Sequence, residues 1–180
     1  PSKTAKDLYD EGMNLLDSKN YKEALISFKN AIAKKADYTD ALYEAGWCCN
    51  ELEQYADAIS YLEKAAKLAP AEPKIFVELG NADESNKNID AAIKNYKKTL
   101  ELHPTYYSAS QNLGNIYYDK EDYETALKYY KQYLEDADAD NFYYYRTGWC
   151  LNDLEQYKDA ITYLEQYEPE ESADIGKKYA

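Results

Sequence analysis

Five of the six glycines in this 180-residue chain share one register. Gly12, Gly46, Gly80, Gly114 and Gly148 lie 34 residues apart, and twelve residues after each stands an alanine: Ala24, Ala58, Ala92, Ala126 or Ala160. A fixed period of this length is the mark of one supersecondary unit stacked against copies of itself, because each unit alone cannot bury its apolar face. That constraint precedes any assignment of local structure.

The pattern around each glycine is helical. Leu8, Gly12, Leu15 and Leu16 fall on one helix face, and Tyr21, Ala24, Leu25, Phe28, Ala31 and Ile32 fall on another. Polar runs such as Asp17-Ser18-Lys19-Asn20 and Asp119-Lys120-Glu121-Asp122 separate the faces as tight turns, and Pro70 and Pro104 stop the second helix of a unit. Each unit therefore reads as helix, turn, helix, and the fold class as all-α. A glycine inside a helix costs about 1 kcal/mol relative to alanine. Keeping it in every unit implies that nothing larger fits, and the spacing predicts that Gly and Ala mark the place where two helix backbones approach.

Composition narrows the function. The 34 acidic and 21 basic residues give a net charge of −13, a field that repels nucleic acid and anionic membranes. No stretch reaches the roughly 20 apolar residues that span a bilayer, and no basic-then-apolar leader opens the chain. The first residue is Pro1, which leaves room for a leader or anchor removed beforehand. Cys48, Cys49 and Cys150 are odd in number and lie in no CxxC pair, so neither a disulfide framework nor a zinc site is expected. Free thiols favour a cytoplasmic setting over an exported or periplasmic one.

A 34-residue helix-turn-helix with Gly at an eighth position, Ala at a twentieth and Pro near the thirty-second resembles the tetratricopeptide repeat family. The resemblance implies a right-handed superhelical solenoid of antiparallel helix pairs, with repeats at 5–38, 39–72, 73–106, 107–140 and 141–174. The large residue of position 7 appears as Leu79 and Leu113, and the aromatic of position 17 as Tyr21, Tyr55, Tyr123 and Tyr157, with Ile89 in the third repeat. That repeat also places Asp83 where the family buries a large side chain, so a local bend is expected there. Repeats two and five share Gly-Trp-Cys, an asparagine and Leu-Glu-Gln-Tyr at an offset of three repeats, from Gly46 and from Gly148. Beyond Pro169, residues of about 170–179 read as a capping or truncated helix.

The resemblance also implies where a ligand would lie: the concave wall made by first helices, at positions 2, 5, 6, 9, 12 and 13. Carried onto this chain, those positions hold Tyr9, Met13, Tyr43, Trp47, Tyr118, Phe142, Tyr145 and Trp149, an aromatic lining. Large rings with a polar tip suit binding surfaces. Asp10, Asp17, Asp40, Glu44, Glu51, Glu78, Glu84, Asp119 and Asp153 share the wall, opposed by Lys6, Lys74 and Arg146. An acidic aromatic groove prefers a basic ligand with apolar anchors. Arg146 is the only arginine, and its planar fork suits a carboxylate, either of a ligand or of a neighbouring side chain. Family members that clamp the C-terminal carboxylate of chaperone tails use lysines, asparagines and an arginine. Here Asn81, Asn112 and Arg146 match, while Val77 and Phe142 stand in place of both lysines, which argues against that ligand. With Asn115 and Gln111, the asparagines could instead bond an extended peptide backbone.

An enzyme is not expected. The single histidine, His103, precedes Pro104 in a turn, and no phosphate loop, nucleophile elbow or paired metal-binding histidines occur. No cofactor or metal is implied. The sequence thus reads as a monomeric protein-binding adaptor. Two alternatives stand beside it: a self-associating scaffold built on tyrosine-rich faces such as Tyr129, Tyr130, Tyr143 and Tyr144, and the targeting part of a longer enzyme or envelope protein.

Overall fold

The computed structural model describes residues 2–167; the helix expected at about 170–179 lies outside them. Ten α-helices occur among the described residues: α1 (Ala5–Asp17), α2 (Tyr21–Lys34), α3 (Thr39–Glu51), α4 (Tyr55–Leu68), α5 (Pro73–Ser85), α6 (Ile89–Leu102), α7 (Tyr107–Asp119), α8 (Tyr123–Tyr133), α9 (Phe142–Asp153) and α10 (Tyr157–Leu164). They fall into two compact units, Pro1–Ala109 and Ser110–Ala180. In the first unit α1 to α6 pack successively, each on the next; in the second, α8 packs on α9 and α9 on α10.

Local chemistry sets the helix ends. Thr4 opens α1 with a reciprocal box: its hydroxyl accepts from the Asp7 amide at 3.1 Å while the Asp7 carboxylate accepts from the Thr4 amide at 2.8 Å. Pro73 begins α5, where its missing N–H costs nothing. The turn inside each hairpin is the same motif five times over. After α1, the Lys19 amide donates to the Leu16 carbonyl and the Asn20 amide to the Leu15 carbonyl, at 2.8 and 2.9 Å, and Lys19 has φ 57°. Glu53, Lys87, Glu121 and Glu155 occupy the same place with φ between 58° and 67°. This double bond satisfies the last carbonyls of the first helix, and it needs a left-handed residue that glycine supplies without steric cost. No hairpin uses glycine there.

Each glycine of the register packs tightly against the second helix of its own hairpin. A Cβ built on Gly12 would lie 2.5 Å from the Phe28 ring, on Gly46 2.5 Å from Leu62, on Gly80 2.5 Å from the Tyr96 ring, on Gly114 2.5 Å from the Tyr130 ring and on Gly148 2.6 Å from Leu164. Each glycine is thus the seat for a large side chain sixteen residues later, on the second helix of its own hairpin. The backbone gap left by each glycine is filled by a ring or a leucine, and at Gly148 the Ala160 carbonyl oxygen also lies 3.3 Å from the built Cβ, so large neighbours fill a crossing where glycine and alanine meet. The alanines of the register are buried as well, at 0% exposure for Ala24, Ala58, Ala92 and Ala126.

What fills the seat determines the residue that follows the glycine. The buried Tyr96 hydroxyl lies 2.9 Å from Asn81 Oδ1 and 2.8 Å from Glu84 Oε2, and the buried Tyr130 hydroxyl donates to Asn115 Oδ1 at 3.0 Å. Where the seat is taken by Phe28, Leu62 or Leu164, no hydroxyl needs an acceptor, and the residue after the glycine is Met13, Trp47 or Trp149. A buried hydroxyl without a partner would cost about 1–3 kcal/mol, so the pairs vary together.

Helix α5 continues past Asp83 to Ser85. Asp83 is 5% exposed, with its two oxygens accepting from Asn88 Nδ2 at 3.3 Å and Asn95 Nδ2 at 2.8 Å. Two amides replace the apolar neighbours that a large side chain would have met, so the backbone need not yield.

Two substitutions test this packing in urea melts. Gly80→Ala should lose roughly 1–2 kcal/mol, because overpacking against the fixed Tyr96 ring exceeds the gain in helix propensity; an unchanged midpoint would refute the seat. Glu53→Gly should gain about 0.5–1 kcal/mol by relieving the left-handed turn. A loss there would mean that the Glu53 side chain holds the turn.

Candidate functional site

The residues expected in the groove divide between the units. In the first, the C-terminal end of α1 and the middle of α3 flank an open cleft of about 300 Å³ lined by Met13, Leu16, Asp17, Tyr43, Glu44 and Trp47. Three expected groove residues, Met13, Tyr43 and Trp47, are brought together there with two of the expected wall acids. The Trp47 indole is fixed by the Tyr21 ring, edge-on at 5.5 Å between centroids. Tyr43 carries the Lys74 ammonium over its ring at 4.8 Å. Tyr9 is engaged elsewhere, packed against Phe28 and Tyr38 at 5.7 and 5.1 Å.

In the second unit an aromatic group forms around Arg146. Its guanidinium sits 4.5 Å over the Tyr118 ring and 5.3 Å over Phe142. Phe142 stacks on Tyr145 at 5.8 Å, and Tyr145 meets Trp149 edge-on at 5.9 Å. Trp149 and Phe142 are 42% and 40% exposed. Arg146 makes no ion pair among the described residues. Its charge is held by ring faces, which attract a cation that water solvates weakly.

The asparagines divide too. Asn81 and Asn115 accept from the buried tyrosines, and Asn115 also donates to the Tyr143 hydroxyl at 3.1 Å. Their amides are part of the packing of the hairpins. Asn112 is half-buried on α7. The pairing of Asn81 with Tyr96 and of Asn115 with Tyr130 could have been read from the sequence, since each pair is fifteen residues apart in register. The seating of Arg146 between rings had a weaker signal, the recurrence of Tyr118 and Phe142 at wall positions.

Burial perturbs three carboxyls of the first unit. Desolvation pushes Glu44 above the usual carboxylate range, with Lys74 pulling it partly back. Glu78 is raised in the same way and is opposed by hydrogen bonds from Asn50 and Asn81. Asp83 is raised by burial against the two asparagines that hold it. Burial also pushes the Cys48, Cys49 and Cys150 thiols up to about 12, about 11 and about 12, so all three are protonated at neutral pH and act as small apolar side chains. Among the described residues no group of three His, Cys, Asp or Glu is placed to hold a metal ion, and no helix is long and apolar enough to cross a membrane.

A carboxyl whose folded-state pKa exceeds its unfolded value binds protons more tightly when folded. Its contribution is present at low pH and is lost as pH rises through the folded pKa. Glu44, Glu78 and Asp83 all act in this sense, so stability in urea should fall as pH rises from about 4.5 toward neutrality. Combining Glu44→Gln with Glu78→Gln should flatten that fall, and an undiminished slope would show that these groups do not carry it.

Among curated protein sequences none matches the chain. The profile of the tetratricopeptide repeat family matches residues 9–73, 77–142 and 112–175. A solved structure of MamA protein superposes with a TM-score of 0.83 at 18% identity, over 98% of this chain and 96% of that one. YrrB, a TPR protein with an unusual peptide-binding site, superposes at 0.76 with 19% identity over 91% and 84%. The first TPR of Spaghetti (RPAP3), bound to the HSP90 peptide SRMEEVD, superposes at 0.64 with 21% identity over 67% and 96%. At these identities the likeness is one of fold.

Proposed function

The chain belongs to the tetratricopeptide repeat family, with its helical-hairpin solenoid fold, and on that premise we propose that it is a non-catalytic module that binds a protein or peptide partner. The binding faces are the first helices: Met13, Tyr43 and Trp47 in one unit, and Tyr145, Arg146 and Trp149 in the other. The observation that carries the reading is the convergence of Met13, Tyr43 and Trp47 on one open cleft with Asp17 and Glu44. Apolar anchors beside unpaired carboxylates favour a partner that is basic or offers aromatic and apolar side chains. Two likenesses support the class: YrrB has a peptide-binding site, and the first TPR of Spaghetti holds an HSP90 peptide. Asn81 and Asn115 contribute by holding the hairpins in place, and Tyr9 by packing behind the face.

Self-association has one observation in its favour. Tyr157, Ile161 and Leu164 on α10 are 58%, 56% and 37% exposed, an apolar face that a second copy could cover.

Capture from a lysate of the native organism separates the two. Trp47→Ala with Trp149→Ala should abolish recovery of the partner with helicity unchanged, while light scattering of the wild type reports a monomer. Recovery of the same partner by the double variant would place binding on another face, and a concentration-dependent oligomer with no partner captured would favour self-association.

A further inference from the structure

One register position recurs between the first helices of neighbouring hairpins, and its filling differs each time within a unit. Between α3 and α5 it is occupied by a hydrogen-bonded bridge, Asn50 Nδ2 donating to the Glu78 carbonyl and to Glu78 Oε2, both at 3.2 Å. Between α7 and α9 the same position holds the protein's own cation: Arg146 lies over the Tyr118 ring at 4.5 Å. Between α1 and α3 it is the open cleft. There the residue in register with Glu78 and Arg146 is Glu44.

We propose that the α1–α3 cleft takes the cationic side chain of a lysine presented by the partner, in the place that Arg146 fills for itself between α7 and α9. This rests on the binding function proposed above and names the chemistry of one of its subsites.

The walls suit such a group. Tyr43 and Trp47 line it with aromatic rings and Met13 with a polarisable thioether, while Asp17 and Glu44 supply negative charge. Neither carboxylate is ion-paired among the described residues. Lys74 already shows that the Tyr43 ring receives an ammonium, at 4.8 Å, yet Lys74 is not among the walls of the cleft. A volume of about 300 Å³ is the share of about ten waters, room for one long side chain and not for a folded ligand. Glu44 is half-buried, and a carboxylate with few waters gains more from an arriving cation than an exposed one does.

The test uses the protein labelled with 5-fluorotryptophan, whose two indoles give one fluorine resonance each, assigned from a Trp149→Phe sample. The probes are the peptides acetyl-Gly-Ala-Lys-Ala-Gly-amide and the same sequence with norleucine, which keeps the alkyl chain and removes the charge. The lysine peptide should shift the Trp47 resonance saturably and leave that of Trp149 in place. The norleucine peptide, and the lysine peptide on Glu44→Gln protein, should each bind roughly ten-fold more weakly, the size of one desolvated cation–π contact. Equal binding of the two peptides at Trp47 would overturn the cation subsite while leaving an apolar groove intact. No shift with either peptide, beside a lysate partner still lost in the double tryptophan variant, would overturn the subsite alone. No shift together with a retained partner would overturn the subsite and the binding face together.

Discussion

A large side chain seated on the backbone of a glycine is the contact on which each hairpin depends. Phe28, Leu62, Tyr96, Tyr130 and Leu164 press against Gly12, Gly46, Gly80, Gly114 and Gly148, at a distance that leaves no room for a Cβ. The contact sets how near the second helix comes to the first. It also decides what the next residue of the first helix must do. With tyrosine in the seat, that residue is an asparagine and turns inward to take the hydroxyl proton. With phenylalanine or leucine there, the same place is free to carry methionine or tryptophan to the surface. The candidate binding residues Met13, Trp47 and Trp149 are therefore permitted by an apolar seat behind them.

Most of the fold was legible because its constraints are periodic. Glycines and alanines in register, helical apolar spacing and the polar runs between helices all follow from the geometry of a stacked hairpin. Less legible was which side chains meet. The glycine–alanine spacing marked where the helices cross but not which large side chain, sixteen residues after each glycine, fills the gap there. Asp83 shows a similar limit: a charged residue at a buried position looks like a disruption until Asn88 and Asn95, five and twelve residues on, are seen to hold both its oxygens.

The candidate site was legible in part for a related reason. Wall positions come from the family resemblance carried along the 34-residue register, and on that ground Met13, Tyr43 and Trp47 were placed on a common face. Counting does not reveal whether a polar group is already engaged. Asn81 and Asn115 are spent on tyrosines, Tyr9 on Phe28 and Tyr38, and Arg146 on the faces of Tyr118 and Phe142. What remains open is the cleft between α1 and α3, where acids and rings meet with no cation among the walls, although Lys74 lies over the Tyr43 ring outside them. Electrostatics gives the remaining direction, since a chain of net charge −13 approaches basic partners more readily than acidic ones.

Hydrogen exchange of the protein with and without a saturating lysine-bearing peptide tests the central claim most directly, because it reports which helices the ligand covers. Slowed exchange of amides in the last turn of α1 and the middle of α3, with α2 and α4 unchanged, is the result that the first-helix face predicts. Protection confined to α2 and α4, or none at saturation, would contradict it.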